Sequence, residues 1–390
     1  MSRDLVVRRH QELRRMREDY VKDGRTDDFL ALTGEIFREE FNTGRFRLRG
    51  LFEALVDDGR EWIDLYCAPQ DQGGYRMLES SDLVSTKLFT NVMGQWLYNT
   101  VLDAYKMPEL IGDLLVPTVP SIEKFERIPG IVALGDDSEI VDEGGLYPNA
   151  ITTERWIETP ETQKRGTMIP ITKEAMFFDK TNLVMDIGKG VGRVIAINRE
   201  KRILDCVCGI TTTYKKNGAA AVATYGSENT KASNPLVDWS SLDASWQLFS
   251  QMTDPDTGEP IVVTPDTLIV PPALTMTTNR IVNATMTITN TNNSLGTANR
   301  ETRVDGNSLR QSVSVFSNQY VRDRTSSDTT WFYGRPRETF VYMQNWPLTV
   351  ESEGKDGPQS FERDIIMRFK ASERGVCGVR ERLFNMKNTA

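Results

Sequence analysis

The chain has 390 residues, of which 39% are apolar and 26% charged, with a formal net charge of −8 and a sequence pI of about 5.1. That length can form two or three domains, or one large α+β unit with an appendage, and the acidic balance argues against a globally basic nucleic-acid-binding protein. The single histidine, His10, leaves the chain without the usual partner of a serine or cysteine nucleophile, and no apolar run is long enough for a membrane span.

Residues 1–65 form a compositional block in which apolar residues recur at helical spacing among many Arg and Glu residues. The pattern predicts three short amphipathic helices. Two interpretations are open: an arm that packs along neighbouring copies of the chain, or a scaffold-like assembly segment on an inner face. Arg45, Arg47 and Arg49 alternate along an extended stretch, where they are suited to contact DNA phosphates or acidic residues of an adjacent copy.

Residues 66–120 lead into the body of the protein. An apolar stripe at helical spacing predicts a helix over residues 83–105. Residues 116–120, Val-Pro-Thr-Val-Pro, predict a stiff extended connector, because both prolines fix the backbone and disfavour a helix before them.

An extended, charged arm follows over residues 121–173. Residues 121–128 alternate apolar and polar side chains at the strand period, and residues 151–156 and 165–173 predict the returning strands. Pro170 has no backbone donor, which predicts an edge or a bulged strand. Because a lone hairpin is only marginally stable in water, we expect the arm to be ordered on a neighbouring copy.

A long helix is predicted after the arm, from about residue 181 to residue 207. Apolar residues keep one face at helical spacing, and a continuous helix of this length would extend roughly 40 Å. Gly188, Gly190 and Gly192 lie inside it, and each lowers helix stability by about 1 kcal/mol relative to alanine. They indicate close packing or a bend.

Residues 210–345 alternate shorter elements with turn signals. Helices are predicted over residues 242–252 and 273–286, and a central strand over residues 261–270. The Thr-, Asn- and Ser-rich residues 287–306 predict an exposed loop. Later strands are predicted at 313–320, 330–333 and 338–343.

Catalytic and metal-binding motifs are weak throughout the chain. Cys206-x-Cys208 is a poor zinc motif, because common zinc sites use wider pairs together with a second pair, so buried reduced thiols are the simpler interpretation. The glycine triplet at 188–192 departs from the dinucleotide-binding pattern and lies in a predicted helix. Asp136 and Asp137 belong to an acidic cluster at the arm tip whose spacing matches no known calcium loop. No cofactor is predicted, and an enzyme built on these aspartates is disfavoured.

The order of arm, long helix and C-terminal strands resembles the major capsid protein of tailed bacteriophages, the Hong Kong 97 type of shell subunit. Residues 165–178, with Ile-Pro-Ile-Thr-Lys-Glu-Ala-Met at 169–176, resemble the family's return strand running into its spine helix. Residues 264–272, Thr-Pro-Asp-Thr-Leu-Ile-Val-Pro-Pro, resemble the axial-domain strand before a helix. Residues 361–384 resemble the final strands of the peripheral domain.

The resemblance implies an α+β, Hong Kong 97-like capsid fold with an N-terminal helical arm, an extended E-loop, a peripheral domain with a long spine helix, and an axial domain. The implied boundaries are 1–65 for the helical arm, 66–120 for the first part of the peripheral domain, 121–173 for the E-loop, 174–212 for the spine helix, 213–345 for the axial domain, and 346–390 for the C-terminal strands of the peripheral domain.

The same resemblance implies a major capsid protein, not an enzyme, that self-assembles into the pentamers and hexamers of an icosahedral head around double-stranded DNA. The expected partners are copies of itself, a portal, decoration or scaffolding proteins, and packaged DNA held by non-specific contact, with no membrane. The protein would assemble in the host cytoplasm and reside in the virion. The alternative is an encapsulin-type nanocompartment shell.

A subunit interface is predicted along the E-loop, at Glu126, Arg127, Trp156, Lys164 and Arg165. Some members of the resembled family cross-link an arm lysine to an asparagine of a neighbour. Asn385 and Asn388 lie near the end of this chain, but no motif fixes that chemistry here, and non-covalent contacts are expected.

Overall fold

The computed structural model describes residues 15, 98, 100–106, 109–130, 140–141, 155–172, 183–255, 258–292, 300–307, 312–353 and 365–390. The predicted helical arm at 1–65 therefore lies outside the described residues, apart from Arg15, and so do Arg45, Arg47 and Arg49. Most of the arm tip, with Asp136 and Asp137, also lies outside them.

The described residues form helices together with sheets in which much of the pairing is antiparallel, which confirms the predicted α+β class. Residues 100–105 are helical, within the predicted helix at 83–105. The further helices of the described residues are α1 (Gly112–Leu115), α2 (Leu183–Val207), α3 (Trp239–Ser250), α4 (Thr275–Asn283), α5 (Gln319–Thr325) and α6 (Pro336–Thr339). The strands are β1 (Thr118–Pro120), β2 (Arg127–Pro129), β3 (Trp156–Glu158), β4 (Gln163–Thr172), β5 (Thr230–Lys231), β6 (Thr267–Val270), β7 (Met286–Asn292), β8 (Arg300–Gly306), β9 (Ser314–Ser317), β10 (Trp331–Gly334), β11 (Phe340–Glu353), β12 (Ile365–Val379) and β13 (Asn385–Asn388). Short 3-10 turns cover Pro272–Leu274 and Arg382–Phe384.

The chain forms two compact units, the first built from the described residues within Met1–Met107, Lys164–Ala196 and Pro347–Glu373. In this unit β12 lies between β11 and β4, so β4 is an edge strand among the described strands, as Pro170 predicted. The described part of the long helix α2 begins in this unit, at Leu183. Gly192 lies so close to the carbonyl oxygen of Val101 that a Cβ atom would collide with it, which confirms close packing at this glycine.

The second unit comprises the described residues within Pro108–Gln163, Ile197–Trp346 and Arg374–Ala390. Its main sheet has five strands in the order β5-β13-β10-β6-β9. The last strand of the chain, β13, pairs with β10 in antiparallel and β5 in parallel orientation, so it is an interior strand. Strand β1 pairs in parallel with β11, with Thr118 opposite Tyr342, and two further pairs, β2-β3 and β7-β8, form two-stranded sheets.

Two hydrophobic clusters hold the second unit together. One contains the end of α2, with Leu204 and Val207 fully buried, together with Phe332. The other packs α3 and α4 against the five-stranded sheet around Phe249 and Trp331. These buried helical faces explain why α3 and α4 match the predicted helices, because a helix is predicted from the spacing of its apolar residues.

Two predictions about residues 261–306 of this unit are wrong in detail. Residues 287–306 were predicted as an exposed loop, but β7 and β8 form an antiparallel ribbon of seven residue pairs, from Met286 opposite Gly306 to Asn292 opposite Arg300. Threonine is β-branched and suits a strand, so a Thr-rich polar segment can be a ribbon. The predicted strand at 261–270 is also shortened to β6, at Thr267–Val270.

Candidate self-assembly interface

The arm leaves the second unit through a tight turn at residues 121–126. The sequence predicted a strand over residues 121–128, but only Arg127–Pro129 is a strand. The reason is local: Asn345 donates its amide hydrogens to the carbonyl oxygens of Ser121 at 3.1 Å and Glu123 at 2.8 Å. Ser121 also donates its hydroxyl to the Glu126 carboxylate at 2.5 Å. These side-chain bonds replace strand pairing.

A second set of contacts ties the turn to the returning chain. The backbone N–H of Glu126 donates to the Thr159 hydroxyl at 2.8 Å, and the N–H of Thr159 donates back to the Glu126 carbonyl at 2.9 Å. Thr162 donates its N–H to the Lys124 carbonyl at 2.8 Å. The departing and returning segments of the arm are therefore hydrogen-bonded to each other. The short β2-β3 pair, with Ile128 opposite the buried Ile157, extends this pairing.

This rigid turn presents apolar side chains to solvent. Ile122 is 97% exposed and Phe125 is 50% exposed, while Val119 in the preceding strand β1 is 39% exposed. Burying one such side chain contributes about 1.5–3 kcal/mol. Hydrogen bonds of the surrounding backbone hold these apolar side chains outside the protein's own core. We call Val119, Ile122 and Phe125 the apolar turn.

Three of the predicted interface residues lie beside the apolar turn. The Arg127 guanidinium stacks over the Trp156 ring at 4.2 Å, a cation–π contact between the two paired strands. Trp156 is fixed through its backbone, which exchanges hydrogen bonds with Asn217 at 3.0 and 2.9 Å. Glu126 is half-buried and holds the turn, so it is a positioning residue more than a contact surface.

The other two predicted residues, Lys164 and Arg165, lie exposed on the edge strand β4 in the first unit. Charged residues at such an edge oppose unwanted strand pairing. On the same unit, the pKa of Glu351 is lowered chiefly by its hydrogen bond to Lys370, with a smaller attraction from Lys164. Lys164 therefore belongs to the charge pattern around that carboxylate.

The point where the arm returns is fixed by buried charges that the sequence reading missed. Arg155, 8% exposed at its side chain, pairs with Asp254 at 2.5 Å and with Glu381 at 3.6 Å. Both carboxylates are almost fully buried. Burial raises the pKa of Glu381, and the nearby Arg155 opposes that rise. Nothing in the local sequence signals this triad, because its members are 99 or more residues apart.

A further buried carboxylate, that of Glu200 on α2, holds the chain that leads towards the arm. It accepts hydrogen bonds from the backbone N–H groups of Ile111 at 3.0 Å and Gly112 at 2.8 Å, and from the Asn318 amide at 3.3 Å. A Cβ atom on Gly112 would lie 2.6 Å from the carboxylate. Burial raises the pKa of Glu200, against the lowering effect of the two backbone hydrogen bonds.

The cysteines of the second unit agree with the predicted buried thiols. Cys206, Cys208 and Cys377 are free and buried, and burial raises the pKa of Cys208 and Cys377. Such thiols are poor nucleophiles. Asn385 and Asn388 are fully buried in the interior strand β13, so neither is accessible for a cross-link to a neighbouring copy.

Other kinds of site receive no support from the described part of the chain. It contains no group of three or more His, Cys, Asp or Glu residues placed to hold a metal ion. Within the same residues, no helix combines the length and apolar character needed to cross a bilayer. His10 and Cys67 lie outside the described residues.

Comparisons with known proteins point to one family. Residues 157–383 match the family described as "Phage capsid protein", whereas a comparison with curated protein sequences found no match. Similar solved structures include Gordonia phage Cozz (10% identity, 72% of this chain and 86% of that chain covered, TM-score 0.46), the Cyanophage Pam1 capsid asymmetric unit (9%, 68% and 84%, 0.45) and a virus-like particle from Pyrococcus furiosus (12%, 75% and 97%, 0.40).

Because these structural likenesses have low identities and TM-scores below 0.5, the assignment rests on the matched sequence, which covers more than half of the chain. It agrees with the Hong Kong 97-like capsid fold predicted from the order of the elements, and with a structural role in a capsid shell. The chain belongs to the phage capsid protein family.

Proposed function

We propose that this chain is the major capsid protein of a tailed double-stranded DNA bacteriophage, self-assembling into the pentamers and hexamers of an icosahedral head that encloses the genome. It acts without catalytic chemistry and assembles in the host cytoplasm before residing in the virion. Portal, decoration or scaffolding proteins would be its further partners, and packaged DNA would touch it by non-specific contacts. Arg45, Arg47 and Arg49 remain candidates for such a contact or for a contact between subunits.

One observation carries the self-assembly part of this proposal: the apolar turn is held rigidly and left exposed. Ile122 and Phe125 face solvent while the backbone around them is fixed by Asn345 and Thr159. An arm that departs and returns at one place cannot cover this surface itself. A neighbouring subunit can, with Arg127, Trp156, Lys164 and Arg165 as the polar and aromatic contacts of the E-loop.

Many such contacts make a shell cooperative although each is weak alone. Burying Ile122 and the exposed half of Phe125 contributes about 2–4 kcal/mol. A loss of about 2 kcal/mol weakens one pairwise contact about 30-fold. Since every subunit of a closed shell repeats the contact, the loss should appear as failure to close and not as a small change in yield.

The test compares two double variants of the full chain. Ile122→Asn with Phe125→Asn removes the apolar surface, while Ile122→Leu with Phe125→Leu keeps it. We expect closed shells by negative-stain electron microscopy from the parent chain and the leucine variant, and soluble unassembled subunits from the asparagine variant. Normal shells from the asparagine variant would refute the proposal that the apolar turn contacts a neighbouring subunit. Nucleic acid inside parent particles from infected cells separates a viral head from a nanocompartment.

A further inference from the structure

The ribbon formed by β7 and β8 has a firm base in the second unit. Asn307, directly after β8, donates its side-chain amide to the carbonyl oxygens of Ile281 at 2.8 Å and Ala284 at 3.0 Å, which closes the end of helix α4. Its backbone N–H donates to the Thr285 carbonyl at 3.2 Å. At the base of the ribbon, Met286 is 64% exposed and Val304 is 53% exposed.

Among the described strands, neither β7 nor β8 has a partner beyond the other. Open edges of this kind promote pairing with another chain unless short length, charge or proline protects them. Strands β1, β2, β3, β5 and β9 have four residues or fewer, and the longer edge β4 carries Lys164, Arg165 and Pro170. The seven-residue β7, Met-Thr-Ile-Thr-Asn-Thr-Asn, has none of these protections.

The backbone donors on the open edges follow from the register. In an antiparallel pair, hydrogen-bonded and non-hydrogen-bonded residue pairs alternate. Because Asn307 donates to Thr285, the pairs that begin with Thr287 opposite Asp305 are hydrogen-bonded within the ribbon. The N–H groups of Ile288 and Asn290 in β7, and of Thr302 and Val304 in β8, therefore point outward.

We propose that the β7-β8 ribbon is a self-association element: the outer edge of β7 pairs in antiparallel orientation with the outer edge of β8 of a second copy. The chain already shows that these two sequences pair along seven residues. Repeated around a ring of subunits, the contact joins the ribbons into one closed antiparallel sheet with no open edge. This inference rests on the proposed shell function.

The use of both edges favours this partner over the two symmetric alternatives. Strand β8 has four charged residues in seven, whereas β7 has none. In the proposed ring each charged strand lies between two uncharged strands, and both edges of every ribbon are used. A pair of β7 strands, or a pair of β8 strands, would satisfy one edge of each ribbon and leave the other open. A head-to-tail contact that closes on itself is the arrangement that rotational symmetry provides.

The first test is amide hydrogen exchange at residue resolution on unassembled subunits and on purified shells of the full chain. The inward amides of Thr287 and Thr289 should exchange slowly in both samples. The outward amides of Ile288, Asn290 and Thr302 should be slowed by at least about tenfold in shells. Shells in which these outward amides still exchange as fast as in subunits would overturn the inference and leave the shell function intact.

The second test removes one outward donor at a time. Asn290→Pro and Thr302→Pro each delete an outward N–H without breaking a bond inside the ribbon, and proline is tolerated at such positions. Both should leave the subunit folded, with Thr287 and Thr289 still protected, and reduce shell yield at least about tenfold. Asn290→Thr keeps the donor and should assemble like the parent chain.

The pair of proline variants decides the identity of the partner. If Asn290→Pro fails to assemble and Thr302→Pro assembles normally, β7 pairs with something other than β8 of a second copy, and the proposal is wrong. If both assemble normally, the edges are not used at all, and the proposal is wrong again. Failure of the parent chain to form any shell would overturn the proposed function together with this inference.

Discussion

Replacing Arg155 by methionine should show what holds the returning end of the arm. The substitution keeps most of the aliphatic volume and removes the guanidinium that pairs with Asp254 at 2.5 Å and with Glu381 at 3.6 Å. Both partners are almost fully buried, so neither carboxylate can recover its hydration without a local opening of the structure. Removing one partner of a buried ion pair costs about 3–5 kcal/mol.

The loss should depend on pH in a direction set by Glu381. Burial raises its pKa above the ordinary value of 4.5, and Arg155 partly opposes the rise. A carboxyl with a raised folded-state pKa contributes most stability at low pH, and that contribution falls as the pH increases through the folded-state value. Without Arg155 the pKa rises further, so the variant should lose more stability near neutral pH than near pH 5.

Urea unfolding of unassembled subunits, followed by tryptophan fluorescence, measures both effects. The matched control is Arg193→Met, on the exposed face of α2, which should change the free energy of unfolding by less than about 0.5 kcal/mol. We expect a loss of about 3–5 kcal/mol for Arg155→Met at pH 7.5 and a smaller loss at pH 5. A loss as small as that of the control, or one that shrinks as the pH rises, would refute the reasoning.

Two further perturbations follow from the same contacts. Glu200→Ala removes the acceptor of the Ile111 and Gly112 N–H groups, which should lower the free energy of unfolding by about 2–4 kcal/mol. Because the pKa of Glu200 is raised, the difference in stability between the parent chain and the variant should narrow as the pH rises above 4.5. An unchanged melting temperature of the variant would contradict this prediction. Joining residue 130 to residue 155 through two glycines removes the arm tip but keeps the Gly130–Arg155 backbone bond. That deletion should leave melting unchanged and abolish shell formation, and normal shells would show that the tip is dispensable.

The sequence was most informative where a periodic pattern meets a buried face. The end of helix α2 was predicted correctly at Val207, because apolar spacing continues to the fully buried Leu204 and Val207. The edge position of β4 followed from one residue, Pro170, because proline cannot donate to a central ladder. In both cases the signal and the structural constraint lie in the same short segment.

Prediction failed where the constraint comes from distant residues. Arg199 and Glu200 of α2 are only 8% and 2% exposed, although charged residues are rarely buried unless they are paired. Arg199 pairs with Asp113 at 2.7 Å, while Glu200 accepts hydrogen bonds from Ile111 and Gly112. The sequence around a buried charged residue does not show which distant residue will pair with it. The partner becomes visible only when the fold brings it near.

At the turn of residues 121–126 the predicted strand is wrong, while the expected burial of the arm on a neighbouring copy stays a prediction. The alternating pattern predicted a strand over residues 121–128, but this subunit leaves Ile122 and Phe125 exposed. A pattern of apolar residues specifies a surface to be buried without specifying which chain will bury it. The β7-β8 ribbon likewise leaves backbone groups to be paired by another chain, since its outward N–H groups have no partner among the described strands. If both surfaces are completed only by other copies, the subunit must fix them before it meets a partner. Arg155 and Asn345 provide that rigidity, because ordering the turn in advance leaves less conformational entropy to be lost on assembly.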